Sequence, residues 1–319
     1  MSISETNSFP AGRPDAGRGA RHDDDADADG PRPVRTIAYG PHPSQTGDLY
    51  LPQGEGPFPV VVLIHGGFWT AMFDRRQVVG LAEDLVNLGY AVWNIEYRRI
   101  GEPGGGWPGT FLDVAAAVDA VAGIDPSVDA DRVVVVGHSA GGHLATWAAH
   151  RSVLPPNALG TNPEVEPVGA VSLAGVLDLV AADAAKLGSV LADLDLEPPE
   201  GAPGMSAAAA WPAVAARIKD GAARLLLGGT AADVPDRYAQ TSPVELPPAE
   251  MPVLVVHGTD DEGVPPSHSR AYADAASARG GDVRLLEVPE TDHFDVIDPT
   301  SPSWHLARGW IDALRHEPS

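Results

Sequence analysis

A serine between two glycines gives the sequence its clearest chemical signal. Residues 137–142 are Gly-His-Ser-Ala-Gly-Gly, with a buried strand predicted before them and a helix after them. A strand-to-helix turn this tight leaves no room for side chains at Gly137 and Gly141, and it exposes the Ser139 hydroxyl at the end of a sheet. The N–H of Ala140, at the helix start, then faces any negative charge that develops beside the serine. The segment predicts that Ser139 is a nucleophile for acyl transfer.

A second glycine pair follows the predicted strand 60–64, where an oxyanion-binding loop belongs in a fold of this kind. The loop is His65-Gly66-Gly67-Phe68-Trp69, and its glycines let the backbone approach a tetrahedral intermediate closely. We expect three N–H groups of this loop to join that of Ala140 in an oxyanion hole, namely those of Gly66, Gly67 and Phe68. His65 is predicted to brace the loop rather than to act as the base.

An acid and a base follow the serine in the order that this arrangement requires. Asp260 and Asp261 come directly after the predicted strand 253–256, where functional side chains collect at the carboxyl edge of a sheet. We prefer Asp261 as the acid and keep Asp260 as the alternative. His293 follows the last predicted strand and is the candidate base, which would take the Ser139 proton while the acid holds the imidazole.

Two tryptophans, Trp69 and Trp107, lie on loops near the predicted site and are expected to line a substrate pocket. The other histidines have no metal-ligand spacing, and we interpret them as ordinary core or surface residues: His138, His143, His150, His257, His268 and His305. Glu96, Arg98 and Arg99 are expected to form structural ion pairs beside the elbow. The chemistry therefore requires neither a metal nor an organic cofactor.

The elements that must position these residues alternate between strands and helices. Strands are predicted at 60–64, 90–97, 132–136, 168–173, 253–256 and 283–288, with helices at 81–88, 111–122, 141–149 and 304–314. This alternation predicts an α/β fold with a mostly parallel sheet covered on both faces. Residues 178–250 interrupt it with Ala-rich helical patterns and are interpreted as an inserted helical cap over the carboxyl edge of the sheet.

Composition excludes several classes of function. The 319 residues hold no cysteine, so a thiolate nucleophile and a Cys-ligated metal are ruled out. The 44 acidic residues outnumber the 21 basic ones, and a net charge of −23 disfavours nucleic acid and anionic membrane surfaces. Residues 1–30 are predicted to be a disordered acidic tail. They contain no visible secretory signal, so we expect a cytoplasmic protein; its oligomeric state is left open.

Taken together, the motifs resemble the α/β-hydrolase superfamily. The resemblance is carried by HGGFW at 65–69, GHSAGGHLA at 137–145, LAGVLDL at 173–179 and DHFDVID at 292–298. It covers residues 34–315, within a predicted hydrolase domain of residues 34–319. The HGGxW pattern is most similar to that of the kynurenine formamidase (arylformamidase) and related esterase branch. This resemblance implies the α/β-hydrolase fold and a triad of Ser139, Asp261 and His293.

The resulting functional hypothesis is a serine hydrolase that cleaves a small carboxylic ester or aryl formamide through an acyl-enzyme. By the resemblance, N-formylkynurenine is a candidate substrate, and a general carboxylesterase is an equal alternative. A hypothesis of another class is a non-catalytic binding protein built on the hydrolase fold. Such proteins usually lack one triad residue, whereas this sequence retains candidates for all three.

Overall fold

A single mixed sheet organises the part of the chain that the computed structural model describes, residues 35–194 and 207–314. The predicted tail, residues 1–30, lies outside the described residues. The strands are β1 (Arg35–Ala38), β2 (Thr46–Tyr50), β3 (Phe58–Ile64), β4 (Ala91–Ile95), β5 (Val128–His138), β6 (Gly169–Leu173), β7 (Val253–Gly258) and β8 (Val283–Val288). The helices are α1 (Val79–Asn87), α2 (Gly109–Asp119), α3 (Ala140–Ala149), α4 (Leu179–Ala184), α5 (Ala207–Ile218), α6 (Ala222–Leu227), α7 (Pro235–Thr241), α8 (Ser267–Ala278) and α9 (Pro302–Leu314).

The strand order is β1-β2-β4-β3-β5-β6-β7-β8. β2 pairs antiparallel with both of its neighbours, β1 and β4. The pairs from β4 to β8 are parallel throughout. Parallel strands end at the same edge, so the loops after β3, β5, β7 and β8 are brought to one edge of the sheet. The prediction of an α/β fold with a mostly parallel sheet is confirmed.

Both faces of the sheet are buried, as the uninterrupted apolar strands predict. In β3, Val60, Val62 and Ile64 belong to one hydrophobic core, whereas Val61 and Leu63 belong to a second core on the other face. The first core includes residues of α2 and α3, and the second includes residues of α1 and α9. Layers on both faces hold the central strands rigid, so the loops at their ends have a fixed base.

Four elements were not expected from the sequence: β1, β2, α7 and α8. The edge strand β1 is short and mostly exposed, so it has no apolar run to reveal it. Helix α8 is rich in small and polar residues, and apart from Tyr272 its buried face is made of side chains such as Ser269 and Ala273. A pattern search that depends on large apolar residues does not detect such elements.

The segment between β6 and β7 folds as helices where the Ala-rich patterns predicted them, in α4, α5 and α6, with α7 added. Residues 195–206 of this segment lie outside the described residues. Within residues 35–194 and 207–314, none of the helices has the length and apolarity needed to cross a membrane.

Candidate active site

Ser139 occupies a strained turn between β5 and α3. Its backbone has φ +55° and ψ −117°, a region that non-glycine residues rarely adopt. The turn is fixed because the Ser139 N–H donates to the carbonyl of Leu173 in β6 at 2.8 Å. A Cβ atom on Gly137 would lie 2.0 Å from the Gly141 oxygen, and one on Gly141 would lie 2.1 Å from the Ile64 oxygen. The two glycines are therefore required by contact with backbone atoms, as the sequence predicts.

The structure brings His293 to Asp261 and not to Asp260. His293 Nδ1 donates to Asp261 Oδ2 at 2.7 Å, and the Asp261 side chain is fully buried. Asp260 is exposed, and its Oδ1 accepts a hydrogen bond from the hydroxyl of Thr259 instead. Because Nδ1 carries the proton shared with the acid, Nε2 of a neutral His293 is left with a lone pair for accepting a proton.

A second histidine, His257, also approaches Asp261. His257 Nε2 lies 3.1 Å from Asp261 Oδ2 and 2.8 Å from the Val264 carbonyl, so it faces two acceptors and carries the proton. His257 Nδ1 is 2.6 Å from the Ser269 hydroxyl, which donates to it. The other carboxylate oxygen, Oδ1, accepts from the backbone N–H groups of Gly263 and Val264 at 2.8 and 2.7 Å.

These partners keep Asp261 ionised. Burial alone raises the pKa of the Asp261 carboxyl, but hydrogen bonds from His257, His293 and the backbone hold that pKa far below its usual range. An acid that stays charged at neutral pH orients the His293 imidazole and stabilises its cation.

His138, the residue before the nucleophile, links the elbow to the base. Its Nε2–H donates to the carbonyl of His293 at 2.9 Å, and the centres of the two rings are 4.7 Å apart. Burial, with a further contribution from His293, lowers the pKa of His138 to about 3. The ring is thus neutral at physiological pH and fixes the position of the His293 backbone beside Ser139.

The glycine loop after β3 lies directly against the nucleophile. A Cβ atom on Gly66 would be 3.0 Å from the Ser139 Cβ. Gly67, Phe68 and Trp69 have φ values of +101°, +50° and +58°, so the loop is held in an unusual conformation. Within the described residues, the N–H groups of Gly67 and Phe68 have no acceptor. Ala140 is the first residue of α3, so its N–H has no acceptor within the helix.

One of the predicted oxyanion donors requires correction. The Gly66 N–H donates to Gln77 Oε1 at 2.7 Å, so it is already occupied and does not face the nucleophile freely. The same Gln77 oxygen lies 3.2 Å from His138 Nδ1. Gly67, Phe68 and Ala140 remain as candidate donors, while Gln77 holds the loop in place.

His65 braces this loop, as predicted. Its Nδ1 is 2.8 Å from the Gly66 carbonyl, and its Nε2 is 2.7 Å from Glu96 Oε1. The Tyr97 ring stacks on the His65 ring with 4.6 Å between centres. Glu96 also pairs with Arg99 at 3.2 Å, with both side chains fully buried, which confirms the expected ion pairs at the end of β4.

The two tryptophans assigned to a pocket lie in different environments. Trp69 is 1% exposed and belongs to the core, where its Nε1–H donates to His143 Nδ1 at 3.2 Å. Its expected place on an open pocket wall is therefore corrected. Trp107 is half-buried, with its backbone N–H bonded to the Leu226 carbonyl at 2.7 Å and the Arg237 guanidinium 5.7 Å from its ring centre.

Helices of the β6–β7 segment are fastened to the elbow helix by polar contacts. His143 and Trp147 of α3 donate to the carbonyls of Thr241 and Gln240 in α7, at 2.8 and 3.1 Å. Burial lowers the pKa of His143 to about 4, so it stays neutral. Nearer the site, Gly188 lies against Phe68, because a Cβ there would be 2.9 Å from the Phe68 ring. The segment thus contacts both helix α3 and the glycine loop after β3.

Sequence reasoning missed the roles of Gln77, His138, His143 and His257. Gln77 lies in a short 3-10 turn with no recognisable pattern. His257 stands four residues before Asp261, at the end of β7, and this spacing is the one signal that pointed to their contact.

Comparison with known proteins points to one family. A family model described as BD-FAE matches residues 47–275. Esterase LipC of Mycobacterium tuberculosis is 27% identical over 287 residues, which cover 85% of this chain and 62% of LipC. Esterase LipQ of the same organism is 27% identical over 263 residues, covering 80% and 55% of the two chains. The chain thus spans little more than half the length of the curated relatives it matches.

Solved structures agree with the fold. Esterase B from Lactobacillus rhamnosis superposes with a TM-score of 0.65 at 25% identity, covering 90% of this chain and 88% of the esterase. A truncated carbohydrate esterase from gut microbiota superposes with a TM-score of 0.67 at 18% identity, covering 88% and 95%. The second likeness supports the fold alone.

Proposed function

The chain belongs to the BD-FAE family of α/β-hydrolases, and from that membership and the geometry at Ser139 we propose that it is a serine carboxylesterase acting on small esters. The observation that carries the proposal is the Asp261–His293 pair, with 2.7 Å between Oδ2 and Nδ1, placed beside a strained serine turn. Buried carboxylate–histidine pairs cluster at functional sites, which favours an enzyme over a non-catalytic binding protein.

Acylation follows from these positions. Ser139 Oγ attacks the ester carbonyl carbon while its proton moves to His293 Nε2, and the carbonyl π electrons become the oxyanion. The N–H groups of Gly67, Phe68 and Ala140 are the candidate donors to that oxyanion. The tetrahedral intermediate then collapses, and the leaving alcohol oxygen takes the proton from His293. Asp261 stays ionised throughout and stabilises the imidazolium between the two transfers.

Deacylation repeats the same steps with water as the nucleophile. His293 takes a proton from the water as it attacks the acyl-enzyme carbonyl, and Ser139 leaves with that proton. The products are a carboxylic acid and the regenerated serine. Each step uses side chains and amides of this chain, so the proposal needs no further group.

Esters are favoured over aryl formamides as substrates. The formamidase hypothesis rests on the HGGFW loop. The Trp69 of that loop is buried in the core, so this side chain is not available to contact a substrate. The relatives LipC and LipQ and the structural match from Lactobacillus rhamnosis are named esterases. N-formylkynurenine hydrolysis is accordingly the second candidate, tested in the same assay.

A labelling experiment tests the enzyme proposal. A fluorophosphonate probe should form one covalent adduct on Ser139 of the full chain, located by peptide mass spectrometry, and the Ser139→Ala variant should not be labelled. Labelling that persists in Ser139→Ala would overturn the assignment of the nucleophile. An unlabelled, correctly folded parent protein would favour the binding-protein alternative.

Substrate class is tested by kinetics. The values of kcat/KM are compared for p-nitrophenyl acetate, p-nitrophenyl butyrate and N-formylkynurenine. We expect ester turnover to exceed formamide turnover by roughly two orders of magnitude or more, a difference of about 3 kcal/mol in transition-state stabilisation. Faster hydrolysis of N-formylkynurenine would reverse the assignment.

A further inference from the structure

Phe294, the residue after the candidate base, is unusually exposed. Its relative accessibility is 56%, the highest of the large apolar side chains in the described ranges. Packing does not require an aromatic ring at such a position, and burying it elsewhere would stabilise the fold. Beside a reactive centre, an exposed aromatic ring is available to contact a ligand.

The exposure of Phe294 is fixed by the local backbone. Its N–H donates to Asp292 Oδ1 at 2.7 Å, and the Asp295 N–H donates to the same oxygen at 2.9 Å. In return the Asp292 N–H donates to Asp295 Oδ2 at 2.8 Å. These hydrogen bonds of Asp292 and Asp295 fix the backbone of the turn, and this backbone places the Phe294 ring outside the core.

That place is beside the catalytic base. The centre of the Phe294 ring is 5.3 Å from that of His293, with the rings at 82°, and 5.9 Å from that of His138. His138 directly precedes Ser139. The ring therefore lies beside the imidazole of the candidate base and beside the residue that precedes the candidate nucleophile.

The chemistry assigns this side to the leaving group. In the proposed mechanism the ester carbonyl oxygen lies at the loop amides, whereas the alcohol oxygen must come within about 3 Å of His293 Nε2 to receive its proton. The carbon group attached to that oxygen then lies in the neighbourhood of Phe294. An aromatic face favours apolar and aromatic groups there.

We propose that Phe294 forms a subsite for the alcohol part of the ester and selects apolar, uncharged alcohols, aromatic ones above all. The inference rests on the proposed esterase function. Charge supports the selection of uncharged alcohols. The exposed carboxylates of Asp292 and Asp295 flank Phe294 in the chain and repel an alcohol part that carries a negatively charged substituent.

The test compares two esters that share one acyl group. Benzyl acetate and ethyl acetate form the same acetyl-enzyme, so the ratio of their kcat/KM values reports acylation and the alcohol alone. We expect Phe294→Ala to lower the benzyl-to-ethyl ratio by about tenfold, a typical value for losing one aromatic contact. Phe294→Leu, which keeps an apolar side chain, should lower it less.

Matched measurements make the result specific. Leu306 in α9 is also exposed, at 49%, and Leu306→Ala should leave the ratio unchanged. The butyrate-to-acetate ratio for ethyl esters reports the acyl side and should stay constant in Phe294→Ala. An equal loss on all esters, an unchanged benzyl-to-ethyl ratio, or a shifted acyl preference would each overturn the subsite. A parent protein that is not labelled at Ser139 and cleaves no ester would instead refute the esterase function on which the subsite depends.

Discussion

At the scale of single residues, the carboxylate of Asp261 decides the geometry of the site. Each of its oxygens has partners, with two backbone N–H groups on Oδ1 and two histidines on Oδ2. Burying a charge without such partners would cost several kcal/mol. The partners therefore stabilise the ion and also orient it toward His293.

Asparagine substitutions distinguish the two adjacent acids. Asp261→Asn should lower kcat by roughly 10³- to 10⁴-fold, because an amide no longer holds the imidazole in the productive tautomer. Asp260→Asn is the matched control, and since Asp260 is exposed we expect a change within about twofold. Kinetics on p-nitrophenyl acetate measure both variants. A larger loss in Asp260→Asn than in Asp261→Asn would contradict the assignment.

His257 should act as a positioning residue for Asp261. Removing its donor in His257→Leu is expected to lower kcat/KM by about tenfold, the effect of one charge-assisted hydrogen bond. The loss should fall on kcat rather than on KM, because a displaced Asp261 impairs proton transfer by His293 and not substrate binding.

His257→Gln is the control for this prediction, because its amide nitrogen can replace Nε2 as the donor to Asp261. It should recover most of the parental kcat. Melting temperatures of both variants show whether the fold is intact. A leucine variant with the parental kcat, or one changed in KM alone, would argue against the positioning role.

At the scale of elements, the junction of β5 and α3 depends on backbone contact. Gly141 touches the carbonyl of Ile64 in β3, so its lack of a side chain couples the elbow to the strand that leads into the oxyanion loop. The contacts of His143 and Trp147 with α7 then extend this rigid unit into the β6–β7 segment. Ser139, its candidate oxyanion donors and helix α7 are thus parts of one packed assembly.

Alanine substitutions at Gly141 and Gly309 test whether the junction of β5 and α3 depends on this backbone contact. Gly141→Ala would place a Cβ atom 2.1 Å from the Ile64 oxygen and should destabilise the protein by roughly 3 kcal/mol or more. Gly309 in α9 is exposed, with no atom within 4 Å of an added Cβ, so Gly309→Ala should stabilise by about 0.5–1 kcal/mol. Urea unfolding measures both changes. A stable Gly141→Ala variant would show that the elbow tolerates displacement.

At the scale of the whole molecule, buried neutral histidines make stability depend on pH. Burial lowers the pKa of His138 to about 3 and those of His143 and His150 to about 4. In the unfolded chain each of them titrates near its ordinary pKa of about 6.5. As the pH falls below that value, the unfolded chain binds protons that the folded protein excludes, so stability decreases toward pH 4.

His150 allows this effect to be measured without altering the site. Its Nδ1 donates to the Pro247 carbonyl at 2.7 Å, and the amide of His150→Asn can replace that donor without titrating. The free energy of unfolding of the parent should fall between pH 7 and 5, and the fall should be smaller in the variant, by up to about 1.4 kcal/mol per pH unit. Equal pH dependence in the two proteins, or a parental stability that is constant over this range, would contradict the explanation.

Below pH 4, Asp261 adds to this loss. Its pKa is held low in the folded protein, so its contribution to stability is present above the ordinary aspartate pKa of about 3.9 and disappears as the pH falls further.

Local patterns in the sequence determined most of the sheet, the elbow and the chain order of the candidate nucleophile, acid and base. The strand and the elbow depend on neighbours along the chain, such as the apolar run of β3 and the glycines around Ser139, and the structure reproduces both. The edge strand β1 and the helix α8 lacked such runs and could not be predicted in this way.

Only the tertiary structure decided how the site residues meet. It placed Asp261 rather than Asp260 on His293, engaged the Gly66 amide with Gln77, and buried Trp69. Contacts of this kind join loops that follow different strands, so they are fixed by strand order and by packing of the layers. No spacing along the sequence encodes which lone pair of a carboxylate is shared or which amide remains free, because hydrogen-bond geometry arises only once the loops lie against one another.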